Sequence, residues 1–194
     1  MRIGVFGGTF DPIHIGHLIL AEAVRFNADL DRILFVPANQ PPHKLKQKLS
    51  PANQRMAMLN HAIIDYPELQ VSDSEIRRGG VSYTIDTLDA LQQTPEFQNQ
   101  ILFPIIGGDS LVELHTWKDP KQILEKHQVL CVLRPDIEIK HVDPFIFSKV
   151  QMIEAPLISI SSSEIRDRVK QGKSIRFWVP DSVESYIHKQ GLYL

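Results

Sequence analysis

Short, densely apolar runs alternate along this chain with stretches whose apolar residues recur every three or four positions. The runs are residues 2–6, 32–36, 69–72, 101–106 and 128–133, all rich in Ile, Val, Leu and Phe. They lack a steady apolar-polar alternation, which is the pattern of strands covered on both faces, so each is expected as a strand of a parallel sheet. Between the first two, residues 16–27 carry Leu18, Leu20, Ala21 and Val24 at helical spacing, followed by Ala28. Ser50 and Pro51 supply an N-cap and a first-turn proline for a helix with an apolar face through Met56, Leu59, Ile63 and Ile64. Residues 83–93 and 120–127 are two further helices. Strand-helix alternation of this kind gives right-handed crossovers and a doubly wound parallel sheet, an α/β fold.

The last third changes character. Ser161 to Glu164 is a capping-box pattern, Ile165 and Val169 are one apolar pair, and Gly172 stands where that helix should end. Residues 180–190 form a final helix closed by Gly191. One domain over residues 1–194 is expected, with a small C-terminal helical extension from about 161. The polar stretch 38–49, with two prolines and three lysines, is the one long loop.

Composition narrows the function. Hydrophobic residues make up 43% and charged residues 23% of 194, ordinary for a globular protein, and the formal net charge is −2. No global basic field invites nucleic acid, so phosphate binding has to come from local donors. The single cysteine, Cys131, lies in an apolar run and is expected to be a buried, inert thiol. No apolar run approaches the length of a membrane span and the chain enters a strand at once, so a cytoplasmic location is expected. Nothing assigns an oligomeric state.

The chemistry concentrates after the first strand, in Gly7-Gly8-Thr9-Phe10-Asp11-Pro12 followed by Ile13-His14-Ile15-Gly16-His17. Adjacent glycines let backbone approach a ligand closely, and the next helix aims its unpaired N–H groups at the same place. Two imidazoles three residues apart at a helix start complete a phosphate site. A strained surface turn with two polar histidines, or a metal pair, are the other readings of those residues; a metal pair would want a third ligand, and none stands near in sequence. Two commoner phosphate motifs fail. Gly172-Lys173-Ser174 ends like a P-loop, but Asp167 stands where its first glycine belongs, and the first turn lacks Gly-x-Gly-x-x-Gly. Strand two ends at Pro37 without an acidic residue for a ribose.

The segment from Gly7 to His17 resembles the (T/H)xGH signature of the nucleotidyltransferase superfamily. Pro41-Pro42-His43-Lys44, Ser82 to Thr87, Gly107-Gly108-Asp109 with Trp117, and Ile160 to Arg166 narrow that resemblance to the bacterial nicotinate-nucleotide adenylyltransferases. The match spans nearly the whole chain in order; Ser163 stands where that family commonly has threonine, with the hydroxyl kept. The resemblance implies a Rossmann-like nucleotidyltransferase fold and adenylyl transfer from ATP to nicotinate mononucleotide, giving deamido-NAD and pyrophosphate in NAD biosynthesis. It implies catalytic roles for His14, His17 and Arg166. ATP would meet Gly7, Gly8, Thr9, Phe10, Gly107, Asp109, Ser161 and Ser162, and the mononucleotide would meet Asn39, Lys44, Tyr83, Thr84 and Trp117. Magnesium is expected with ATP, without an assigned protein ligand. As a bare residue Trp117 reads more readily as core than as a ligand platform, and Arg77-Arg78 with Gly79-Gly80 has the composition of a surface turn.

Overall fold

The computed structural model describes residues 1–42, 49–132, 142–156 and 158–194. Among these residues six strands form one sheet: β1 (Arg2–Gly8), β2 (Arg32–Pro37), β3 (Leu69–Val71), β4 (Ile101–Gly107), β5 (Val129–Val132) and β6 (Val150–Ile153). Their order is β3-β2-β1-β4-β5-β6 and every neighbouring pair is parallel. The five strands expected from the sequence are all present, and the sheet is the doubly wound one expected. β6 has no counterpart among the apolar runs. It has four residues, packs at the edge of the sheet and exposes Gln151, so it offers no run to detect.

Strand geometry sends alternate side chains to opposite faces, and the core divides accordingly. Ile33 and Phe35 of β2, Phe103 and Ile105 of β4, and Leu130 and Val132 of β5 join one buried cluster. Leu34, Val36, Leu102, Ile106, Val129 and Cys131 join the other. The first cluster is covered by α1 (Ile15–Asn27), α2 (Ala52–Ile63), α8 (Ser162–Lys170) and α9 (Asp181–Gln190), through residues such as Ala21, Leu59, Ile165 and Ile187. The second is covered by α4 (Thr84–Gln92), α5 (Gly108–Glu113), α6 (Pro120–Lys126) and α7 (Pro144–Lys149), through Leu88, Leu111, Ile123 and Ile146. The helices of the C-terminal part thus share a core with α1 and α2.

Three local expectations need correction. α2 begins at Ala52 after Pro51, and Ser50 makes no side-chain cap. Its buried face is Arg55, Met58, Leu59, Ala62 and Ile63, so Ile64 is exposed and Met56 only half-buried. Arg55 and Met58 take inner positions in place of Met56 and Ile64. Arg77 and Arg78, expected in a surface turn with Gly79 and Gly80, instead end the short helix α3 (Ser74–Arg78), and the two glycines follow at φ +70° and +67°. α7 has no counterpart in the periodic pattern, being six residues long with two exposed phenylalanines. Among the described residues no helix is long and apolar enough to cross a membrane.

Candidate active site

In a parallel sheet of this order, the strand connections depart in opposite directions on either side of β1 and β4, which opens a crevice beyond their carboxyl ends. Gly7 and Gly8 end β1, and Gly107 ends β4. A cleft of about 560 Å³ lies there, lined among others by Gly7, Gly8, Thr9, Tyr83, Thr84, Gly107, Asp109 and Trp117. Its size suits a small-molecule ligand.

The turn from β1 to α1 forms one wall. Phe10 adopts φ +49°, a conformation that costs a bulky residue about 1–3 kcal/mol. Its ring holds it there, buried between Phe6, Phe35 and His17 at centroid distances of 5.6, 5.5 and 5.1 Å. The ring lies over Gly8, where a Cβ would come within 2.8 Å of it, so only glycine fits beneath. The carbonyls of the turn face into the protein. Thr9 accepts from Arg55 Nη1 (2.9 Å), Asp11 from Arg166 Nη1 (2.7 Å) and Pro12 from the Ser162 hydroxyl (2.8 Å).

His14 is the N-cap of α1, and it caps reciprocally with His17. The His17 backbone N–H donates to His14 Nδ1 (3.3 Å), and the His14 N–H donates to His17 Nδ1 (3.2 Å). The rings stack, with centroids 3.6 Å apart. A nitrogen that accepts from a backbone N–H carries no proton, so in each neutral ring the proton sits on Nε2. Nε2–H is then the donor of each stacked ring. Gly16 permits this, because a Cβ there would lie 3.1 Å from His14 Nδ1 and press on the capping ring. The Gly in the His-x-Gly-His spacing thus has a steric cause.

α8 closes on the same turn. Ser161 caps it by accepting from the Glu164 N–H at 3.1 Å, as its capping pattern predicts. Ser162 and Arg166 reach the turn by the two bonds above, and Arg166 Nη2 donates to Ser163 Oγ (3.2 Å). A guanidinium has five donors, so this anchorage leaves others for an anion.

The opposite wall is the start of α4. Tyr83 is its N-cap and supplies no side-chain cap bond. Lys118 Nζ pairs with Asp86 at 2.7 Å and stands 5.2 Å from the Tyr83 ring centroid. Trp117 both lines the cleft and packs, half-buried, on the second core cluster. Asn39 sits beside Ala38 at the rim. Its backbone N–H donates to Ser82 Oγ (2.9 Å) and its side-chain amide to the Gly80 carbonyl (2.9 Å). Asp109 is exposed at the mouth beyond β4. Lys44 lies outside the described residues.

Beneath this wall is a polar cluster that local sequence pattern does not reveal. Glu75 is buried and lines the cleft floor, accepting from Thr87 Oγ1, while Arg78 Nη2 donates to the same hydroxyl (3.1 Å). Burial pushes the Glu75 carboxyl above the usual carboxylate range, against the opposing pull of the Ser82 and Thr87 hydroxyls. Its one sequence signal is an acidic residue just ahead of an Arg-rich segment, which reads as surface. Arg55 is equally buried, and burial draws it below its ordinary value while Asp11 opposes.

Residues 5–168 match the family model described as cytidylyltransferase-like. The probable nicotinate-nucleotide adenylyltransferase of Thermomicrobium roseum is 43% identical, covering 99% of this chain and 91% of its own. That of Thermus thermophilus is 42% identical over the whole of both chains. Among solved structures, the Plasmodium falciparum nicotinic acid mononucleotide adenylyltransferase complexed with NaAD superposes with a TM-score of 0.78. It is 20% identical and covers 99% of this chain and 97% of that one, a likeness of fold.

Proposed function

The chain belongs to the cytidylyltransferase-like family and, with these relatives, to the nicotinate-nucleotide adenylyltransferases; it transfers an adenylyl group from ATP to nicotinate mononucleotide, and we propose that it does so by aligned donors alone. The mononucleotide phosphate oxygen bonds to the α-phosphorus of ATP. The bond from that phosphorus to the bridging oxygen breaks, and pyrophosphate leaves with the electron pair. The attacking group is already an anion at neutral pH, so no side chain has to take its proton. What remains is to hold two phosphates in line and to spread charge as it builds.

The observation that carries this reading is the reciprocal cap of His14 and His17, which fixes both Nε2–H donors in direction. They meet the α- and β-phosphate oxygens. Arg166 adds a fork of donors to the triphosphate, with Ser161 and Ser162 at the N-terminus of α8 beside it. The backbone of Gly7, Gly8, Thr9 and Phe10 lines the same site. At the β4 end, Gly107 gives close passage to the adenosine and Asp109 accepts from its ribose hydroxyls.

The pyridine ring stacks on Trp117. Its carboxylate takes the first N–H groups of α4, which receive no side-chain cap and carry the positive end of the helix dipole, with Thr84 adding its hydroxyl. Asn39 closes the rim, and the resemblance assigns Lys44 to the mononucleotide phosphate. An amide in place of the carboxylate turns a donor towards donors. That loss of about 1–3 kcal/mol makes a preference of about tenfold to a hundredfold for nicotinate over nicotinamide mononucleotide.

Magnesium belongs to the substrate in this scheme. The groups around the triphosphate are imidazole N–H, guanidinium and hydroxyl, and no three His, Cys, Asp or Glu side chains converge among the described residues. That donor set offers the ion no carboxylate, which supports its being carried by the phosphates of ATP. The reaction runs in the cytoplasm. Pyrophosphate release in the presence of ATP, magnesium and each mononucleotide tests the reading. Turnover with nicotinate mononucleotide well above that with nicotinamide mononucleotide is expected, and equal or reversed use would overturn the pocket drawn here.

A further inference from the structure

Four parts of the chain that lie far apart in sequence meet at Asp11, a residue of the catalytic turn whose side chain faces away from the cleft. Asp11 is 2% exposed. Its Oδ1 accepts from the Tyr193 hydroxyl at 2.7 Å and its Oδ2 from the Ser50 backbone N–H at 3.0 Å, while its carbonyl holds Arg166. Arg55, 1% exposed, runs alongside and ties the Ser50 carbonyl (3.0 Å) to the Thr9 carbonyl (2.9 Å). Tyr193, Ser50, Arg55, Arg166 and Ser162 thus hold Thr9, Asp11 and Pro12 from behind.

Tyr193 is the unexpected member. It follows α9, 182 residues away in sequence, and adopts φ +67°. A tyrosine in the left-handed region is strained, and such strain persists only where the surroundings over-determine it. Phe10, one residue before Asp11, is strained in the same way at φ +49°. Tyr193 is one end of the hydrogen-bonded link, and Phe10 adjoins Asp11 at the other. Burial, and next the Asp11 carboxylate, push the Tyr193 hydroxyl far above its usual range, so it stays a donor throughout the working pH range.

We propose that Tyr193, acting through Asp11, is a positioning residue for the phosphate-binding turn, setting where the Phe10–His14 backbone and Arg166 stand relative to the reacting phosphates. It touches no substrate. The link sets the geometry of the transition-state donors, so its loss lowers turnover more than it weakens ground-state binding. This rests on the reading of the turn as the phosphate site.

The test is kinetic. Tyr193→Phe keeps the packed ring and removes only the hydroxyl. It should lower kcat about tenfold, with KM for ATP and for nicotinate mononucleotide within about twofold of the parent, the pattern of a misplaced transition-state contact. Asp11→Ala removes both acceptors and should lose at least as much. In the double variant of Tyr193→Phe with Asp11→Ala the hydroxyl has no carboxylate left to lose, so turnover should be no lower than in Asp11→Ala. Thermal unfolding of each variant, with assays run far below its Tm, separates positioning from loss of folded enzyme. Unchanged kcat in Tyr193→Phe, a rise in KM without a fall in kcat, or losses that multiply in the double variant would each overturn the proposal. Absence of adenylyl transfer in the parent protein would instead overturn the reading of the site.

Discussion

The two strands that frame the cleft end differently. Beyond β1 the backbone is locked: the Thr9, Asp11 and Pro12 carbonyls are all engaged, Phe10 is held at positive φ by three rings, and two histidines cap one another. Beyond β4 the backbone is open: a Cβ placed on Gly107 would meet nothing within 4 Å, and Asp109 is exposed. The difference separates tasks. Charge stabilisation demands groups already in place before reaction. Recognition of a nucleoside tolerates a surface that completes itself around its ligand. Variants on the locked side should therefore change kcat, and variants on the open side should change KM.

The largest effect is expected at His17. His17→Ala removes one Nε2–H donor and also the acceptor for the His14 N–H, so kcat should fall about 10²-fold or more with little change in KM. A variant that kept its kcat and only raised KM would move His17 to the binding side of the comparison. Arg166→Lys comes next. A point charge cannot both hold the Asp11 carbonyl and fork onto a triphosphate, so kcat/KM for ATP should fall about tenfold or more. Unchanged ATP kinetics would remove Arg166 from the locked set.

On the open side, Trp117→Ala should raise KM for nicotinate and nicotinamide mononucleotides alike by about tenfold, since stacking ignores the carboxylate. A normal KM would show that Trp117 serves only the core cluster it partly joins. The smallest effect concerns Glu75. Its carboxyl holds its proton in the folded state to higher pH than the ordinary 4.5 of the unfolded chain. The folded state therefore binds more protons in that window, and stability falls as pH rises from about 4.5 through the folded value. Urea unfolding at a series of pH values should show Glu75→Gln gaining on the parent across this window and keeping a constant lead above it. Parallel curves would mean that burial does not perturb this carboxyl.

What is legible in the sequence follows the same division. Strands buried on both faces announce themselves as apolar runs, and the β1 turn announces itself by adjacent glycines and spaced histidines, because those features are local. Cys131 likewise sits fully buried where its run predicts, with burial pushing its thiol up to about 12. The edge strand β6 is half exposed and lacks a run. Arg55 and Glu75 are charged residues in the interior, where local pattern places apolar ones, and only their partners explain them. Asp11, Ser50 and Tyr193 meet through the fold, and no spacing in the chain encodes that meeting. The glycine between the histidines is an intermediate case: its place in a motif is visible, and its reason, the 3.1 Å approach to His14 Nδ1, is not.

The proton positions of two imidazoles decide whether the aligned donors exist, and nitrogen-15 NMR of the labelled protein reads them directly. With both rings neutral, His14 and His17 should each show an unprotonated, hydrogen-bonded Nδ1 and a protonated Nε2, in fixed rather than averaging tautomers. A proton on Nδ1 of either ring, or rapid exchange between the two forms, would contradict the reciprocal cap and with it the aligned pair of donors on which the proposed transfer depends.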